Sequence, residues 1–127
     1  MNLLETIKSM PDALIGKGVD KESIEVAELS LGLSFSPEYR MYLENYGIVA
    51  VNGHELTGIC QSDRTNVVLV TISARQTHSV KDDWYVIEQA NIDGIVIWQS
   101  SDGVVYQTAP NSYTNKICES LADYIKM

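Results

Sequence analysis

The stretch from Ile24 to Gly47 constrains the fold more than any other part of the chain, because it reads as two amphipathic helices joined by a tight corner. Ile24, Ala27 and Leu31 recur at helical spacing, with Leu29 at the flank and Glu22, Glu25 and Glu28 between them. Gly32 follows the last periodic residue, where a left-handed conformation ends a helix without a Cβ clash. Ser36 stands as an N-cap, with Pro37 at the first helical position, where its missing N–H loses nothing. Tyr39, Tyr42, Leu43 and Tyr46 line one face of the second helix and Gly47 closes it, while Leu33 and Phe35 fill the corner. Leu31, Tyr39 and Leu43 are therefore expected in the core.

Around this unit the elements follow in order. Asn2 caps a short helical segment to Met10, Pro11 redirects it, Gly16-Lys17-Gly18 is a flexible connection, and Asp20 caps the first of the paired helices. After Gly47 the pattern turns to strand. Ile48 to Val51, Asn52-Gly53 and His54 to Ile59 read as a hairpin, since both turn positions need positive φ, and Gly58 weakens the second strand or marks a bulge. Residues 66–76 are ambiguous. Val67, Val68, Val70, Thr71 and Ile72 favour a strand, yet Val67, Val70, Thr71 and Ala74 share one helical face and Thr65 could cap it. Propensity alone leans to strand. Trp84 to Gln89 is a strand, Asn91 to Gly94 a turn, and Ile95 to Gln99 with Val104 to Thr108 a second hairpin around Ser100 to Gly103. Residues 110–114 are loop, and Thr114 or Asn115 caps a last helix carrying Ile117, Leu121, Tyr124 and Ile125. Strand runs separated by such short turns make the sheet mostly antiparallel. The class is α+β, with helices packed on one face, two paired N-terminal helices and a C-terminal helix, in a single domain over 1–127.

Composition narrows function by exclusion. A net charge of −8 argues against binding a phosphate backbone, which needs clustered Lys and Arg, and fits a basic protein partner or simple solubility. No basic leader followed by an apolar run is visible and no apolar stretch approaches a membrane span, so a cytoplasmic protein is expected. Cys60 and Cys118 read as buried, reduced thiols. His54 and His78 lack a second ligand at helical spacing and read as surface or hairpin residues, so no metal or cofactor is expected. Asp82-Asp83, Asp93 and Asp102 invite a carboxylate-pair reading, but each sits by a turn or strand start, where Asp bonds locally. No catalytic residue is assigned.

The order of elements resembles the SUKH superfamily, in its Smi/Knr cell-wall-assembly-regulator-like branch. Ile24 to Glu28 with Leu31-Gly32-Leu33 resembles the family's first helix and its corner, and Ser36 to Arg40 with Leu43 and Tyr46-Gly47 its second helix. Glu55-Leu56 with Gly58-Ile59 resembles the strand that follows. Val67 through Arg75 is similar to a segment the family folds as a helix, and on that ground 66–76 is assigned to a helix. Trp84 to Glu88, Gly94-Ile95 and Gly103 to Tyr106 resemble its sheet, and Ser120 to Ile125 its closing helix. Ser36 replaces the usual Leu, Tyr46 the usual Asn, and Gln99-Ser100 the usual strand end.

The resemblance implies a non-enzymatic binding protein. Bacterial members resemble immunity proteins that bind and block a cognate polymorphic or contact-dependent toxin domain, often a nuclease, whereas fungal relatives resemble regulatory scaffolds. An acidic chain suits the basic groove of a nuclease toxin. The expected partner site is the acidic and aromatic set nearest the strands: Asp82, Asp83, Trp84, Glu88, Asp93, Trp98 and Asp102. Each tryptophan can equally be sheet packing and each aspartate a turn former. Oligomeric state is not legible.

Overall fold

In the computed structural model, which describes residues 2–110 and 114–127, the paired helices stand as expected. α1 (Leu3–Lys8) is capped by Asn2, α2 (Lys21–Leu31) by Asp20 and α3 (Pro37–Asn45) by Ser36. Gly32 ends α2 at φ 69°. Leu31, Tyr39 and Leu43 are buried with Phe35, as the helical spacing requires, while Leu29 faces solvent.

The strands form two antiparallel sheets. The first has the order β1-β2-β3, from β1 (Leu14–Ile15), β2 (Val49–Val51) and β3 (His54–Glu55). Asn52 and Gly53, at φ 50° and 79°, make the expected turn between β2 and β3. β1 falls beside the Gly16-Lys17-Gly18 connection, where no strand was expected. The second strand stops at Glu55, and the chain then passes the end of α3, where the Ile59 amide donates to the Gly47 carbonyl at 3.2 Å. A Cβ on Gly58 would overlap the Gly47 carbonyl oxygen, so glycine serves a close approach there and not a bulge.

The second sheet has the order β4-β5-β6-β7, from β4 (Tyr85–Gln89), β5 (Val96–Gln99), β6 (Val105–Thr108) and β7 (Asn115–Cys118). β7 corrects the expected last helix. Residues 115–118 pair with β6, and only Leu121–Tyr124 are helical, as α5. Its cap is Ser120, which accepts from the Asp123 amide at 3.0 Å. The loop expected at 110–114 lies partly outside the described residues.

α4 (Val67–Arg75) is a helix, against β propensity. Its cap is Asn66 rather than Thr65, with the side chain accepting from the amides of Val68 and Leu69. The helix lies along the free edge of β4. Thr71 Oγ1 accepts from the Val86 amide at 3.0 Å, and the Thr57 amide donates to the Ile87 carbonyl at 2.9 Å. An edge that would otherwise offer unpaired groups to another chain is thereby closed. α4 also corrects the expectation that helices occupy one face only. Val67 enters the main core with Tyr85 and Ile87, whereas Val70 and Ala74 join Trp84, Val86, Val96 and Trp98 in a smaller core on the opposite face.

Candidate partner-binding surface

The structure separates the seven residues expected at the partner site. Trp98 is fully buried, and its indole N–H donates to Thr108 Oγ1 at 2.8 Å. Trp84 is 5% exposed and stacks on Tyr106, with ring centroids 4.0 Å apart. Both therefore serve sheet packing. Glu88 is buried as well. Period-two alternation from Trp84 would send it to the same face as Val86, but a bulge between Val86 and Glu88 shifts the register. Glu88 turns instead toward His54 and Tyr124. Its carboxylate meets His54 Nδ1 at 2.9 Å, accepts the Glu55 amide at 2.8 Å and accepts the Tyr124 hydroxyl. Burial, then that hydroxyl–carboxylate contact, push the Tyr124 phenol well above its ordinary range.

Asp82, Asp83 and Asp102 do come together, at the end of the sheet where the β5–β6 turn meets the start of β4. Asp82 and Asp102 are exposed and Asp83 half-buried. Asp83 accepts from the Ser101 amide at 3.2 Å. Asp102 is held below the usual carboxylate range by the Ser100 hydroxyl and then the Val104 amide, so it stays charged. Lys81 lies near enough to add to that effect, and Arg75 donates to the Asp82 carbonyl at 3.1 Å. This end is thus acidic but partly balanced. Asp93, at φ 53° in the β4–β5 turn, sits at the opposite end of the strands and is exposed.

The remaining polar side chains of the interior bond to one another or to the backbone. Tyr39 Oη lies 2.8 Å from Thr57 Oγ1, and Tyr42 donates to the Thr57 carbonyl at 2.7 Å while accepting the Val49 amide at 3.0 Å. Tyr85 donates to Gln99 Oε1 at 2.8 Å and accepts the Ser36 amide. Glu38 accepts from Gln99 Nε2 and from the amides of Leu121 and Ala122. Among the described residues, no buried side-chain nitrogen or oxygen lacks a partner. Two sequence readings change here, those of His78 and of the cysteines. His78 is buried against Thr108, at 2.8 Å, and is not a surface residue. His54 is the hairpin residue expected, in β3, half-buried with its Nε2 3.2 Å from the Met127 carbonyl. Cys60 and Cys118 are half-buried, unjoined thiols, and burial pushes the Cys118 thiol up. Among the described residues no His, Cys, Asp and Glu group gathers to hold a metal, and no helix is long and apolar enough to cross a membrane.

The polar interior of this α+β protein, Glu88 included, is closed on itself, while Asp82, Asp93 and Asp102 face solvent. The family model described as SUKH_5: SMI1-KNR4 cell-wall matches residues 1–127, and the chain belongs to that family. The fold is also that of a solved protein from Pseudomonas syringae pv. tomato, at a TM-score of 0.74 and 17% identity, covering 98% of this chain and 96% of that one. No curated protein matches the sequence. The family includes immunity proteins and implies a protein partner.

Proposed function

We propose that this chain is a cytoplasmic, non-enzymatic immunity protein that binds and neutralises a cognate polymorphic or contact-dependent toxin domain of basic, nuclease-like surface. The observation that carries the reading is family membership over the whole chain, in a family that includes immunity proteins. The net charge of −8 supports it, since a nuclease keeps a cationic nucleic-acid groove to which an acidic protein is steered. Unjoined Cys60 and Cys118 suit the cytoplasm. Of the expected site, Asp82, Asp83 and Asp102 are the residues proposed to meet the toxin, with Asp93 a separate contact at the far end of the sheet. Trp84, Trp98 and Glu88 act by holding the sheet that presents them.

The test uses the toxin domain encoded by the neighbouring gene and follows association by stopped flow. Reversing charge in Asp82→Lys with Asp83→Lys should slow association several-fold at low salt, with less effect as salt rises, and leave the melting temperature close to the parent's. Protection by the parent together with unchanged association of the variant would remove these aspartates from the interface. No protection by the parent would remove the immunity function itself.

A further inference from the structure

α2 and α4 lie side by side and point the same way: Asn66 at the start of α4 neighbours the first turns of α2, and Arg75 at its end donates to the Leu31 carbonyl at 3.1 Å. Between them runs a groove of about 560 Å³, open to solvent. Its walls are Val26 and Ala27 on one side and Val68 and Leu69 on the other, with Ile59 also lining it and Asp20 and Glu22 at one end. Val26 is 56% exposed and Leu69 47%, and Ile72, one turn beyond Val68, is exposed too. These apolar side chains leave the core at helical positions where a surface helix ordinarily turns polar. No Lys or Arg lines the groove. Asp20 is held below the ordinary carboxylate range by Ser23, so the rim keeps its negative charge.

We infer that this groove receives an amphipathic helix of the partner protein, its apolar face seated between α2 and α4 and its Lys or Arg residues against Asp20 and Glu22. The backbone settles helix over strand. Main-chain groups along both walls are used within their own helices, so an extended segment laid there would find few partners, whereas a helix satisfies its own. The length fits as well. On α2 the lining runs from Asp20 to Ser30, about 15 Å at about 1.5 Å per residue, which takes up to three turns of a docked helix, while on α4 it covers the first turn, Asn66 to Leu69. Charge argues against a second copy as the occupant, since each brings −8 and the same acidic rim. The inference rests on the proposed function and deepens it by giving the toxin a place to be held.

Two probes keep the groove and the function separable. The first is an ~18-residue helical peptide of Leu and Lys, with Leu at i, i+3, i+4 and i+7, titrated by fluorescence anisotropy. Val26→Ser with Leu69→Ser should weaken its binding at least tenfold at an unchanged melting temperature, while Ile92→Ser, exposed outside the groove, should not weaken it. Equal effects of the two, or none, would overturn the inference. The second probe is the toxin domain of the neighbouring gene, whose dissociation from the double variant should be at least tenfold faster than from the parent. Equal retention by parent and double variant would overturn the groove and leave the immunity function standing. Absence of parent protection would instead strike the function, with the peptide still deciding the groove. Light scattering that finds a parent dimer and a monomeric double variant would assign the groove to a second copy, and so contradict the inference.

Discussion

The Glu38 carboxylate lies where α3, β5 and α5 meet, accepting from Gln99 Nε2 at 2.8 Å and from the Leu121 and Ala122 amides at 2.7 and 3.0 Å. Two of those donors are otherwise orphaned amides at a helix start, and the third belongs to a side chain that also fixes Tyr85. Glu38→Ala strips all three at once. Urea denaturation should show a loss of about 1.5–3 kcal/mol, the range for hydrogen bonds to a charged group, and a loss under about 0.5 kcal/mol would mean the amides are satisfied by water. Nothing in the sequence around Glu38 announces this role, because its partners are remote in the chain. Local residue roles were legible in contrast. Ser36, Asp20, Gly32 and the Asn52-Gly53 turn act within a few residues of themselves, and periodicity with cap chemistry identifies them. The misplaced site residues fail for a related reason. Whether Trp84 or Trp98 is exposed depends on which element covers the second face of the sheet, and Glu88 is turned inward by a bulge that has no glycine to mark it.

At the level of elements, α4 and β7 both run against the sequence reading for physical reasons. α4 is rich in β-branched residues, yet Asn66 caps it and Thr71 sits where the hydroxyl can meet the open edge of β4. Tertiary packing outweighs a propensity of a few tenths of a kcal/mol per residue. Only the family resemblance made this helix legible. β7 is the reverse case, since Ile117 and Leu121 fall at helical spacing across what is in fact a strand, a break and a short helix. The edge-covering role of α4 gives a prediction. Thr71→Val keeps the shape and removes the acceptor, leaving the buried Val86 amide without its partner, at a cost of about 1–3 kcal/mol. Hydrogen exchange should report faster opening of β4 in Thr71→Val than in Thr71→Ser, which retains the hydroxyl. Equal protection of Val86 in the two variants would show that another group covers the edge.

Across the whole molecule, four tyrosines tie the core together through their hydroxyls, and burial raises the phenol pKa of Tyr39, Tyr42, Tyr85 and Tyr124 alike. An unfolded tyrosine ionises at about pH 10, so below that both states hold the proton and the stabilisation is complete. Above it the unfolded chain releases protons that the folded chain keeps. Stability then falls by up to about 1.4 kcal/mol per pH unit for each tyrosine until the folded pKa is reached. The urea midpoint should decline gently from about pH 8.5, as the unfolded Cys118 thiol ionises, and drop steeply by about pH 11, with most of the tyrosinate absorbance appearing together with unfolding. Ionisation of more than the three tyrosines outside the network in a still-folded protein would contradict it. Asp82, Asp93 and Asp102 lie outside that network on the exposed surface, where the proposed function needs its acid. The most direct test is survival of cells expressing the toxin domain of the neighbouring gene, with and without this chain. The account predicts growth only when the chain is present, with a one-to-one complex recovered from those cells. Death in both cases, or rescue without a complex, would contradict it.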